Sequence, residues 1–163
     1  MAATPQIRGL KEAAKTLRQI DPEMRKVFNK NVREIAKPIT DAAKANYDQS
    51  AMPSGTRRNW QQGGRVKFPL VASRARSGVR VKIDTRARTR SAIKIVQANP
   101  GAAIMEFAGT RSRNSLGNAF NAKGRQPARV MWPAADLHLP QVQDNLVDYL
   151  KEVEDAINRE LSA

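Results

Sequence analysis

Val79-Arg80-Val81-Lys82-Ile83-Asp84 alternates apolar and charged side chains, the two-residue repeat of a strand with one face covered and one in water. Working outward, Ile93, Ile95 and Gln97 predict a second strand of the same kind. A third is expected from Ala103 to Phe107, introduced by an Asn99-Pro100-Gly101 turn, and a short fourth from Arg129 to Trp132. The period then changes at both ends of the chain. Ile7, Leu10, Ala14, Leu17 and Ile20 recur at helical spacing and predict a short amphipathic helix over 7–20. Asp21-Pro22 restarts the chain, since aspartate caps well and proline suits the first helical position. A helix over 22–48 follows, its stripe running through Met24, Val27, Phe28, Val32, Ile35, Ile39 and Tyr47, with a kink expected at Pro38. A loop is expected over 49–64. After Pro133 and Pro140, the residues Leu139, Val142, Leu146, Tyr149, Leu150, Val153, Ile157 and Leu161 mark a last helix over 140–161. The expected fold class is α+β: an antiparallel sheet of three to four strands packed against long N-terminal and C-terminal helices, in a single domain over 1–163.

Charge is segregated along this chain. Residues 54–129 carry 17 Lys and Arg against two acids, Asp84 and Glu106; residues 1–53 carry 10 bases and 6 acids; residues 130–163 carry 2 and 7. The balances of +15, +4 and −5 add to the net +14. A basic middle and an acidic end can satisfy each other between copies, so self-assembly competes with nucleic-acid binding as the reason for the basicity.

The absence of cysteine rules out disulfides, Cys-ligated zinc and a thiol nucleophile. The start, Met1-Ala2-Ala3-Thr4-Pro5-Gln6, lacks the apolar run of a signal peptide, so a cytoplasmic chain, or a particle assembled there, is expected. No stretch reaches the roughly 18 apolar residues of a membrane span. The lone histidine, His138, lies between Leu137 and Leu139 and reads as a surface or packing residue. Asp84 and Glu106 fall within strand patterns and read as solvent-facing or salt-bridged carboxylates. Gly63-Gly64 before Arg65-Val66-Lys67 matches neither a P-loop nor a dinucleotide fingerprint. No enzyme, no metal and no cofactor is expected.

Arg57, Arg58, Arg65, Lys67, Arg74, Arg76 and the series Arg86, Arg88, Arg90 are all able to contact phosphates, with Trp60 and Phe68 interleaved as stacking surfaces. No helix-turn-helix, zinc finger or RNP-type aromatic pair accompanies them. Three arginines on one side of an extended segment suit an acidic protein groove equally well. A basic nucleic-acid-binding protein is therefore the alternative expectation.

Three strings carry a family resemblance: Ile35-Ala36-Lys37-Pro38-Ile39 within a long basic helix, Ile104-Met105-Glu106-Phe107-Ala108-Gly109-Thr110, and Gln126-Pro127-Ala128-Arg129-Val130-Met131-Trp132-Pro133-Ala134 leading into the last helix. The second is similar to a Glu-Phe-Gly-Thr motif with Ala108 inserted, the third to Pro-Ala-x-Pro-Phe-x-x-Pro-Ala. The chain thereby resembles the tail-completion or head–tail joining proteins of tailed bacteriophages, also called neck or minor tail components. The resemblance implies a non-enzymatic virion protein at the head–tail junction, assembled in the bacterial host cytoplasm. Its implied partners are copies of itself in a ring, commonly hexameric, the connector or stopper on one side, and the tail-tube or tail-terminator protein on the other. DNA would pass through the bore. No membrane partner and no catalytic residue is implied.

Two site expectations follow. The subunit interface is expected to set Arg74, Arg76, Arg80, Arg86, Arg88 and Arg90 of one copy against Asp144, Asp148, Glu152 and Asp155 of the next. Residues 109–127, polar and basic without periodicity, are expected to be a mobile loop that orders on a partner. Arg111, Arg113, Lys123 and Arg125 supply its charge, with Leu116 and Phe120 as inserting anchors.

Overall fold

In the computed structural model, residues 13, 15, 16, 22–48, 54–84, 93–108, 118, 119 and 129–161 are described. Ala13, Lys15 and Thr16, within the expected first helix, are helical. Helix α1 (Pro22–Ile35) starts with proline at a position whose missing N–H has no partner in any case. It buries Phe28 and Val32. The chain breaks at Ala36 and resumes as α2 (Lys37–Ala45), which buries Ile39, Thr40 and Ala43. In place of one kinked helix over 22–48 there are thus two short ones. Pro38 has no N–H to offer the Glu34 carbonyl, so the ladder is interrupted where the two helices meet.

Of the segment read as a loop over 49–64, the described part, 54–64, holds regular structure. A 3-10 turn (Ser54–Arg57) leads into a hairpin of β1 (Trp60–Gln62) and β2 (Arg65–Phe68). Gly63 and Gly64, at φ 58° and 70°, make the two-residue turn, a left-handed pair that glycine adopts without a Cβ clash. Trp60 pairs with Phe68 and Gln61 with Val66, with a bulge between Trp60 and Gln61. Leu70 N–H donates to the Thr56 carbonyl at 2.9 Å and ties the hairpin's exit to the turn that precedes it.

Helix α3 (Ala72–Gly78) buries a stripe of small residues, Ala72, Ala75 and Gly78. A side chain at position 78 would run into the Gln97 carboxamide, so glycine is needed there. Strand β3 (Val79–Ile83) pairs with β4 (Ile93–Gln97) in a second two-stranded antiparallel sheet. Along β3 the burial alternates as the sequence predicts, with Arg80 and Lys82 outward.

The third and fourth expected strands are not strands. Residues 103–107 belong to α4 (Pro100–Phe107), whose cap is Asn99: its side chain accepts from the Ala102 N–H at 3.0 Å. Asn99-Pro100, read as a turn, is a helix start, and Ala, Ile, Met and Glu propagate it. Residues 131 and 132 open α5 (Met131–Leu161), a helix of 31 residues that contains Pro140. The fold is α+β, with two separate two-stranded sheets among the described residues instead of one sheet of three or four strands.

The chain divides into two compact units, one built from residues 1–38, 81–94 and 138–163, the other from 39–80 and 95–137. The core of the first includes Phe28, Val32, Val142 and Leu146. There the Phe28 and Tyr149 rings stack at 5.7 Å, and Asn31 Nδ2 donates to the Tyr149 hydroxyl at 3.1 Å. The core of the second includes Ile39, Ala43, Tyr47, Phe68, Leu70, Ala75, Val79, Ala102, Met105, Val130 and Ala134. Its polar centre is Gln97, whose Nε2 donates to the Tyr47 hydroxyl and the Ala75 carbonyl, while its Oε1 accepts from the Asn99 N–H.

Candidate functional site

Helix α5 begins without a local cap: residues 126–131 contain no Ser, Thr, Asp or Asn. Its first N–H groups are satisfied from far along the chain. The Glu106 carboxylate, 3% exposed, accepts from Val130 N at 3.2 and 3.1 Å through its two oxygens and from Met131 N at 3.0 Å. A negative charge at a helix N-terminus also meets the positive end of the helix dipole. In return, Arg129 reaches back to the end of α4. Its Nη1 donates to the carbonyls of Met105 at 2.7 Å and Glu106 at 3.4 Å, and its Nη2 donates to that of Ala108 at 2.9 Å. Those are the carbonyls a helix leaves free at its C-terminus, where a cation is favoured. Glu106 of α4 therefore caps the start of α5, and Arg129, two residues ahead of α5, caps the end of α4.

The clamp is a buried, charged structure. Burial pulls the Arg129 guanidinium below its ordinary value, and the neighbouring Glu106 charge pulls it partly back. The same carboxylate acts on Tyr47, fully buried in this unit. Burial pushes the Tyr47 hydroxyl up to about 12, the Gln97 hydrogen bond opposes the rise, and the Glu106 charge adds to it. Expected to be solvent-facing or salt-bridged, Glu106 is not solvent-facing: it is enclosed, with its oxygens on backbone donors and the Arg129 charge nearby. That makes it a fastener, not a group presented to a substrate. Asp84 is also buried, with Lys94 Nζ 4.0 Å away.

The expected interface residues lie as follows. Arg74 and Arg76 are exposed on α3, and Arg80 is exposed on β3. Arg76 is partly committed within its own unit, since its Nε donates to the Tyr47 carbonyl at 3.1 Å. Asp144, Asp148, Glu152 and Asp155 are all exposed on α5. Arg74, Arg76 and Arg80 belong to one unit of the chain, and the four acids to the other. Arg86, Arg88 and Arg90 lie outside the described residues, as do Arg111, Arg113, Leu116, Phe120, Lys123 and Arg125 of the expected mobile loop. Within that loop Asn118 and Ala119 are described, and both are helical. Trp60 and Phe68, read as stacking surfaces, stack on each other at 5.7 Å with planes 17° apart. Phe68 is buried and Trp60 is 41% exposed.

Among the described residues no cluster of three or more His, Asp or Glu side chains has the arrangement to hold a metal ion. No helix among them is long and apolar enough to cross a membrane. Compared with protein-family models, curated proteins and solved structures, the chain matches none.

The clamp went unread in the sequence, though two signals pointed to it. Glu106 is the one acid between Asp84 and Asp136, set in the apolar string Ala-Ile-Met-Glu-Phe, where a charge needs partners. The missing cap before Met131 was the other half. Joining them requires a contact between residues 25 apart in sequence.

Proposed function

We propose that this chain is a structural virion protein of a tailed phage, forming a ring in the neck that joins the head connector to the tail tube. The observation that carries the reading is the clamp. Two of the three strings behind the family resemblance, Ile104–Thr110 and Gln126–Ala134, meet in it through Glu106 and Arg129. The strings are thus halves of one structural device, which makes their joint occurrence in the sequence a single pattern with a physical purpose.

The charge distribution supports the ring as well. A head-to-tail ring needs two different complementary surfaces on each copy. The exposed acids Asp144, Asp148, Glu152 and Asp155 of α5 and the exposed bases Arg74, Arg76 and Arg80 of α3 and β3 supply two surfaces of opposite charge. Exposed ion pairs are individually weak, about 0–1 kcal/mol, so apolar surface must be covered at the same contact.

The test is the mass of the purified protein in solution, by light scattering and native mass spectrometry. The expected result is a closed oligomer of fixed copy number, weakened but not abolished by salt, and visible as rings by electron microscopy. A monomer at every concentration, retained on DNA until high salt, would overturn the reading and favour a nucleic-acid-binding protein.

A further inference from the structure

Residues 49–83 hold eight basic side chains and no acid. Within this stretch the hairpin and the residues flanking it carry both exposed apolar and exposed basic side chains. Trp60 is 41% exposed and rests on the buried Phe68, which supports one face of the indole and leaves its outer side to solvent. Val71 is also 41% exposed. The hydrogen bond from Leu70 N to the Thr56 carbonyl brings the neighbours of those two residues, Val71 and Arg57, together at one backbone crossing. Arg57, Arg58 and Arg74 are exposed, and in sequence each is one to three residues from the crossing or from Val71. A large aromatic ring fixed from beneath, partly bare and preceded in sequence by two exposed arginines, has the composition of an interface centre.

The chain encodes one surface of opposite character. On α5, Asp144, Val147, Asp148, Glu152 and Asp155 are exposed, and at 3.6 residues per turn they fall on one side of the helix. Val147, 40% exposed, supplies apolar surface at the edge of the acidic face. Lys151 lies within that face and pairs with Asp148 at 3.3 Å, both side chains largely in water. Such a pair exchanges partners at little cost.

We propose that the Trp60 hairpin of one copy docks on the Asp144–Asp155 face of α5 in a second copy, and that this contact is the head-to-tail interface of the ring. The inference rests on the ring reading above and changes its chemistry. The acids meet a hairpin with an exposed tryptophan and the arginines that precede it, and the arginines beyond Arg74 in the 74–90 segment are secondary to Trp60, Arg57 and Arg58. Arg76, whose Nε is held by the Tyr47 carbonyl, has less freedom to serve a neighbour.

A charge exchange tests it. Arg57→Glu/Arg58→Glu and Asp148→Lys/Glu152→Lys are made separately, then combined in one chain. Each pair alone is expected to shift the mass from oligomer to monomer, and the fourfold variant to restore the oligomer, because the exchanged charges again face each other. In a Trp132→Phe background, the emission of Trp60 is expected to move to shorter wavelength on assembly. Should Arg57→Glu/Arg58→Glu not fold, Arg57→Ala/Arg58→Ala gives the same reading. Dissociation at lower salt than wild type supports the contact, and an unchanged salt midpoint overturns it. Wild-type assembly by Arg57→Glu/Arg58→Glu, or a fourfold variant that stays monomeric, would overturn this interface while leaving the ring intact. A wild-type chain that never assembles would overturn the ring itself. Unchanged assembly with lost retention on DNA would assign the hairpin to nucleic acid instead.

Discussion

Glu106 is 3% exposed, with its oxygens on the N–H groups of Val130 and Met131. Asp148, on the outer side of α5, has Lys151 at 3.3 Å, and the two side chains are 73% and 70% exposed, respectively. Both are single carboxylates associated with the same helix, one at its start and one in its middle. Water separates them in kind. In the clamp, the charge has given up its hydration for two backbone donors, and the loss of either partner would leave the other uncompensated. On the outer face the charge keeps its hydration, and its present partner is worth little. The first charge therefore specifies the fold, whereas the second is free to specify a partner.

The sharpest way to break this comparison is to remove the buried charge. Glu106→Ala strips the cap from α5, takes the acceptor from the buried Val130 N–H and the half-buried Met131 N–H, and leaves Arg129 buried without its neighbouring charge. The expected cost is about 3–5 kcal/mol, the range for removing one partner of a buried charged pair. Glu106→Gln keeps the shape and one acceptor oxygen and should lose less. Urea unfolding followed by circular dichroism measures both. A Glu106→Ala midpoint equal to wild type would mean that the clamp does not hold the second unit together.

A smaller effect comes from alkaline pH. Tyr47 is buried, and its hydroxyl is pushed up to about 12 from an ordinary 10.0. The folded chain thus holds this proton more tightly than the unfolded chain. The stabilisation is complete below pH 10 and is lost as the pH rises from there through 12. Two pH units correspond to about 2–3 kcal/mol. Tyr149 is raised as well, first by burial and then by the nearby Glu152 charge, against the Asn31 hydrogen bond. Tyrosinate absorbance during an alkaline titration should therefore lag that of free tyrosine and rise together with unfolding. Ionisation of both tyrosines near pH 10 in a still-folded chain would contradict their enclosure.

The same contrast explains what was legible in the sequence. The alternation from Val79 to Ile83 and the acidic face of α5 are local patterns with fixed periods, and spacing alone reveals them. The β1–β2 hairpin is local too, yet its strands are only 3 and 4 residues long and a bulge breaks their alternation, so only Gly63-Gly64 stood out, as a breaker. Residues 103–107 looked like a strand because a short apolar run fits either structure. The decisive sign was Asn99-Pro100, which reads as a turn and as a helix start until the Asn99 side chain is seen accepting from Ala102. The start of α5 was displaced from Met131 to Pro140 for a different reason. Its cap is supplied by a residue 25 positions upstream, and no window of sequence contains both. Of the site, the exposed charges were legible and the buried ones were not, since burial is decided by the rest of the chain.

The smallest effect on folding, and the finest discrimination, is expected for Asp148→Lys/Glu152→Lys in conditions where the protein is monomeric. Asp148 loses one exposed pair with Lys151 and places a lysine beside it. Such i, i+3 pairs contribute about 0.2–0.5 kcal/mol, and like charges at that spacing cost a similar amount. Glu152 lies beyond the middle of the helix, so the dipole acts on it weakly, since that effect fades within the terminal turns. The lysines also relieve a face crowded with Asp144, Glu154 and Asp155, which offsets part of the loss. The net change in unfolding free energy should stay within about 1 kcal/mol, and 1 M salt should bring the variant and wild type closer still, since the Debye length there is only about 3 Å. A loss as large as that of Glu106→Ala would show that the acidic face of α5 holds the fold together, and its availability to a second copy would fall with it.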